Sequence, residues 1–198
     1  MRRAALAAVL ALLVPAGARA AAAAALHYNV DQRYGSIGFS VSELWLFDAA
    51  GSFRKFTGRL AIDPAHPDRT KIDVAIATGS VAMSSARAVH LLLSPAYFDA
   101  GVHPAIRFRS TRVVAAGPDR YLVFGLLRIR GVTHPQELVA VLAGEKHPAK
   151  GPPTAYFTVT GRLHRSAFGM TANENFLGDL VRIIIHIHLA LPTLAHAG

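Results

Sequence analysis

The sequence predicts an all-β domain, a sandwich or an up-and-down barrel of about eight strands with one short helix. Three observations carry this. Apolar and polar residues alternate with period two along most of the chain, the pattern of half-buried strands. Turn-forming residues interrupt those runs at close spacing. One stretch alone breaks the alternation, and it reads as a helix.

The first segment belongs to neither class. Met1-Arg2-Arg3 is positive, Ala4 to Val14 is uninterruptedly apolar, Pro15 and Gly17 end the run, and Ala18-Arg19-Ala20 offers small residues to a signal peptidase. The run is shorter than the ~20 apolar residues that span a bilayer. Residues 1–20 are therefore expected to be a cleaved signal peptide, and residues 21–198 one exported domain. Removing the leader takes away Arg2, Arg3 and Arg19 and no acid, which lowers the net charge from +9 to +6. A basic exported domain makes nucleic acid an unexpected partner and leaves an anionic membrane surface or a phosphorylated ligand open, beside the plainer reading of a solvated surface charge for most of these residues.

Beyond the leader, Ile37, Phe39 and Val41 alternate with Gly38, Ser40 and Ser42, and Ile72, Val74 and Ile76 with Asp73, Ala75 and Ala77. The same pattern recurs at Ile106 to Arg109, at Ala155 to His164 and at Val181 to Leu189. Further strands are expected over Phe53 to Ile62, Arg120 to Arg130 and Gln136 to Ala143. Tyr121 to Ile129 is apolar on both faces and should be covered on both. Turns are expected at Asp48 to Gly51, Asp63-Pro64 with Pro67-Asp68, Gly117-Pro118-Asp119 and Gly151-Pro152-Pro153. Ser84 to Leu93 reads as the helix, capped by Ser84 or Ser85 and ended by Ser94-Pro95, with Leu91 and Leu92 packing inward.

Composition narrows the function. At 52% hydrophobic and 17% charged residues, disorder is excluded. Without cysteine there is no thiol catalysis, no cysteine-ligated zinc and no disulfide. No P-loop, no His-Glu-x-x-His element and no defensible Ser–His–Asp spacing is present.

Several strings occur in a telling order: Ile37-Gly38-Phe39-Ser40-Val41, Gly51-Ser52-Phe53, Phe56-Thr57-Gly58 and Asp63-Pro64. They are followed by His90-Leu91, Ser94-Pro95, Tyr97-Phe98-Asp99, Pro104 and Phe108-Arg109-Ser110. Gly125 to Pro135 and then Arg165-Ser166 with Phe168-Gly169-Met170 complete the series. Together they resemble the YceI-like polyisoprenoid-binding family over essentially the whole chain beyond the leader. The resemblance implies a lipocalin-like antiparallel β-barrel, periplasmic, holding an amphipathic isoprenoid chain. It also implies a binding protein with no catalytic residues, and a homodimer. No cofactor is expected beyond a bound isoprenoid or quinone-like lipid. Four positions depart from the family pattern: Tyr34 and Glu43 stand where histidines are common, the stretch Arg87 to His90 lacks an acid, and Ala167 replaces another. The apolar scaffold is kept while polar positions are lost, so the head group is left open.

The candidate lipid-binding residues are Phe39, Trp45, Phe53, Phe56, Phe108, Phe157 and Phe168, with Arg87 and His90 as polar contacts one helical turn apart. Each aromatic is equally suited to core packing, and His90 to fixing the helix to a neighbouring loop through a backbone carbonyl. Phe39 and Trp45 share parity; Phe53 and Phe56 do not, so one should face outward unless a bulge intervenes. Arg165 is expected to hydrogen-bond carbonyls at a barrel end, and Gly131 to Pro135 to form a tight hairpin. Two other functions are weighed: a lipid isomerase or cyclase on the same barrel, which needs an acid–base pair, and a metal-binding or interaction face built on His186 and His188, with His164 joining if its strand aligns. No metal site and no catalytic residue is assigned.

Overall fold

The structure, a computed structural model, describes residues 25–43 and 47–192; the proposed leader and Trp45 lie outside them. Eleven strands and one helix follow in order: β1 (Leu26–Asp31), β2 (Gly35–Glu43), β3 (Phe47–Phe53), β4 (Phe56–Ile62), β5 (Lys71–Ala77), β6 (Val81–Met83), α1 (Ala86–Leu93), β7 (Ala105–Ala115), β8 (Arg120–Ile129), β9 (Val132–Lys146), β10 (Thr154–His164) and β11 (Leu177–Ala190). All pair antiparallel in one sheet, ordered β1-β4-β5-β7-β8-β9-β10-β11-β2-β3-β6.

That order explains why eleven strands are found where eight are expected. β1 and β2, β3 and β4, and β5 and β6 are each consecutive in the chain, yet members of each pair lie toward opposite ends of the sheet. Each pair is one chain segment running in one direction and bent at a corner, so eight segments make eleven strands. The corners draw the sheet's two ends together and curl it into a barrel-like wall. Backbone bonds lock them: Arg54 N–H donates to Ser80 O at 3.0 Å and Ala77 N–H to Lys55 O at 3.0 Å. The corner at Arg54-Lys55 also resolves the parity of Phe53 and Phe56. The bend lets both point inward, and both are buried in the same cluster.

Inward residues follow the alternation. Ile37, Phe53, Phe56, Ile106, Phe108, Val123, Leu127 and Leu138 form the main core with Phe98 and Phe168, and Val30, Leu60 and Leu189 form a second one. Phe53 packs between Phe39, tilted with ring centroids 5.5 Å apart, and Phe98, edge-on at 5.8 Å. The helix turns Val89, Leu92 and Leu93 toward this core.

Three expectations are corrected. Asp48 to Gly51 is not a turn but part of β3, paired with β2 from Ser42 to Phe39. Gly51 serves close approach instead, because the Phe39 ring lies where its Cβ would be. On the helix, Leu92 and Leu93 face inward and Leu91 is exposed. α1 begins at Ala86 with Ser85 at the N-cap, as expected, although the Ser85 side chain makes no capping bond. The outer face of β8 is uncovered: Leu126 is exposed, and the Arg112 guanidinium lies 5.1 Å from the Phe124 ring centroid.

The β8–β9 hairpin matches expectation. Its two-residue turn, Arg130-Gly131, has φ of 50° and 78°, the left-handed pair of a tight hairpin. Pro135 then sits in β9 opposite Leu126. The β9–β10 ladder begins only at Leu138, so the missing N–H of Pro135 interrupts no bond to β10.

Candidate functional site: a cavity at a gap in the wall

Pairing between β9 and β10 runs from Lys146↔Thr154 to Leu138↔Gly161 and stops. Past that point the strands part. Gln136 spans the gap: its amide nitrogen donates to the carbonyls of Arg162 at 3.0 Å and of Glu137 at 2.7 Å. Gln136 is buried, at the inward parity shared with Leu138 and Ala140. A cavity of about 1030 Å³ opens here, bordered by β2, β3, β9, β10, β11 and the turn at Ser166–Phe168. Its inward-facing lining is Phe39, Gln136, Gly161, Leu163, Ile183 and Phe168. Outward-facing residues border it as well, among them Ser40, Glu137, Thr160, Arg162, His164, Arg182 and Ile184. The volume lies at the top of the ~300–1,000 Å³ range of small-molecule sites; the inward part of the lining is apolar around the Gln136 amide, and the outward rim is polar and charged.

The turn that closes one side is held from three directions. His134 Nε2–H donates to the Ala167 carbonyl at 2.8 Å, and its ring meets Phe168 edge-on at 5.1 Å. Arg130 donates to the Gly169 carbonyl. Arg165, 3% exposed, donates to the carbonyls of Gly178, Met170, Ala172 and Leu177, between 2.5 and 3.0 Å. This is the expected capping of barrel-end carbonyls by that arginine.

Beside it, Asp179 accepts from Ser166 N–H at 2.8 Å, Ser166 Oγ–H at 2.9 Å and His164 Nδ1–H at 2.8 Å. Burial pushes its carboxyl up, but these hydrogen bonds outweigh it and hold the group below the usual carboxylate range. The three residue types are those of a hydrolytic triad, but the carboxylate sits in the middle and binds both partners. A nucleophile needs the imidazole next to the hydroxyl. The arrangement is a clamp on the 166–179 segment.

The sequence-based candidates separate into groups. Phe39 and Phe168 border the cavity. Phe53, Phe56 and Phe108 are buried in the main core, and Phe157 packs on the second cluster. Arg87 and His90 lie exposed on α1. His186 and His188 share the outer face of β11, opposite Thr158 and Tyr156, whereas His164 is opposite Leu180 and bonded to Asp179. The three histidines are thus not brought together, and among the described residues no group of three His, Cys, Asp or Glu is placed to hold a metal. Gln136, His134, Leu163 and Ile183 also border the cavity and lie beyond the sequence-based candidates. Gln136 had a signal: a polar residue in phase with the inward residues of an otherwise apolar strand.

Comparison with known proteins agrees with this architecture. The chain is 31% identical over 175 residues to a UPF0312 protein of Pectobacterium atrosepticum, covering 87% of this chain and 89% of that one. A UPF0312 protein of Azotobacter vinelandii is 31% identical over 170 residues, covering 83% and 87%. Among solved structures, Burkholderia cenocepacia BcnA superposes with a TM-score of 0.73 at 22% identity, covering 81% of this chain and 99% of that one. A polyisoprenoid binding domain from Saccharophagus degradans superposes with a TM-score of 0.57 at 12% identity, covering 84% and 98%. Residues 28–189 match the YceI-like domain, so the chain belongs to the YceI-like family, whose barrel it shares.

Proposed function

We propose that this is a periplasmic binding or carrier protein for an amphipathic lipid, an isoprenoid, a quinone or a similar chain. The observation that carries the reading is the cavity: about 1030 Å³, with an apolar inward lining and a polar outer rim, opening at the gap between β9 and β10. An apolar chain gains ~0.8 kcal/mol for each methylene it buries, so such a cavity holds a lipid tail without any chemistry. The relative from Saccharophagus degradans is named for polyisoprenoid binding, which supports the same class of ligand. The tail would run along Phe39, Leu163, Ile183 and Phe168, with Gln136 as the polar contact nearest the opening. Phe53, Phe56 and Phe108 support that wall from the core, and Arg87 and His90 remain outside it. Of the acids and bases that border the cavity, Glu137 and His164 face outward, His134 is bonded to the Ala167 carbonyl and His164 to Asp179, so the binding reading is preferred to an isomerase or cyclase. Contact with a membrane surface and a homodimeric state belong to the same proposal.

Native mass spectrometry of the protein purified from its own host, followed by solvent extraction, tests this. The expected result is a chain lacking residues 1–20 or a few more, plus a discrete mass that extracts as an apolar chain. An apo mass with no uptake of added isoprenoid alcohol or quinone would overturn the carrier function. An intact leader on the envelope-purified chain would overturn the export.

A further inference from the structure

The two ends of the barrel differ in chemistry. One end carries the loops 63–70, 116–119 and 147–153, rich in Pro, Gly and charged residues. The other carries α1, the loop 94–104, the Arg130-Gly131 turn and the segment 165–176, which touch one another. Ala100 N–H donates to Leu93 O at 3.0 Å, and Tyr97 Oη–H to the Ala172 carbonyl at 3.4 Å. His103 lies against Gly131, and Arg130 bonds Gly169. Of the seven exposed large apolar residues among those described, four lie on these end segments: Leu91, Val102 (68% exposed), Val132 at the hairpin and Phe176 (61% exposed). None lies on the loops of the opposite end. Scattered exposed apolar residues need no explanation, but four from four segments gathered at one end do.

Charge sits just behind them. Arg107 and Arg128 face each other across β7 and β8 on the outer surface, and neither has an ion pair among the described residues. Like charges directly opposite are unfavourable unless an anion lies between or over them. Val132 pairs with Ile129, one residue beyond Arg128, and the turn tip lies two or three residues beyond. At ~3.3 Å per residue that sets the arginines about 3–10 Å behind the apolar tip. A bilayer's head-group layer is about 5–8 Å deep on each side. Arg87 is exposed on α1, one of the segments of this same end.

We propose that this end docks onto an anionic lipid surface, with Val102, Val132 and Phe176 entering the acyl boundary while Arg107, Arg128 and Arg87 meet the head groups. His134, Gln136 and Phe168, which border the cavity, lie beside the same hairpin and turn, so docking brings the opening to the bilayer. This purpose rests on the lipid-carrier function; the docking itself does not.

Flotation with vesicles of phosphatidylcholine alone and of phosphatidylcholine mixed with phosphatidylglycerol tests it. The protein should float with the mixed vesicles, and the Val102→Asp/Phe176→Asp double variant should lose that binding at least about tenfold. Ala116→Asp/Ala149→Asp adds the same charge at the opposite end and should bind as the wild type does. Arg107→Gln/Arg128→Gln should lose the preference for the mixed vesicles; it removes no core group and serves if the first variant fails to fold. Absence of wild-type flotation, or equal loss in the two aspartate variants, overturns the docking. Extractable lipid in a protein that does not float would leave the carrier function standing while docking fails, and flotation of a lipid-free protein would do the reverse.

Discussion

Arg165 carries a full charge in a site 3% exposed, with no carboxylate beside it among the described bonds. Four backbone carbonyls solvate it instead, so the side chain satisfies acceptors that a loop end leaves unpaired. Arg165→Ala strips donors from four carbonyls at once and should cost at least about 3 kcal/mol, read from the urea midpoint at constant m-value. A loss well under this would mean that water replaces the guanidinium freely. Asp179 holds the neighbouring stretch from the other side. Its folded pKa is depressed, so its contribution is full above the unfolded carboxylate value of ~3.9 and is lost as pH falls through the lower folded value. The stability gap between wild type and Asp179→Asn should therefore be constant near neutrality and close below about pH 4. A gap that persists undiminished in acid would rule out the carboxylate as its source.

At the scale of elements, the corners decide the architecture. β2 starts at Gly35, where an added Cβ would fall on the His186 carbonyl of β11. Close approach of two backbones admits only glycine there, so Gly35→Ala must push β2 away from β11 next to the β1–β2 corner. The cost should be about 3 kcal/mol or more. For a domain of this size that lowers the melting temperature by roughly 6–12 °C. An unchanged midpoint would show that the corner relaxes without loss of pairing. The same elements explain the misplaced turn. Asp48 to Gly51 carries turn residues, but pairing with β2 and the Phe39 ring resting on Gly51 outweigh local propensity. Gly131 shows the opposite case: local chemistry and tertiary pairing agree, and the hairpin lies where its residues place it.

Across the whole molecule, a single antiparallel wall provides three things: a packed interior, a cavity where one ladder stops, and two ends of different chemistry. The flotation and native-mass outcomes belong to this scale, because neither the cavity nor the apolar end resides in any one strand. The β class, the short helix, the alternating inward residues and the family are all legible in the sequence, since each depends on local periodicity or on residues in a fixed order. It also carried Arg165 as a carbonyl cap. Tertiary structure alone decided that Phe53 and Phe56 face the same way, because a corner resets parity between them. It decided likewise that Phe39 and Phe168 border the cavity while Phe53, Phe56 and Phe108 fill the core, and that Gln136 bridges a gap in the wall. An inward aromatic has the same neighbours in sequence whether it meets another side chain or a hollow. The difference lies in which strands remain paired at its level, a property of the sheet and not of any strand.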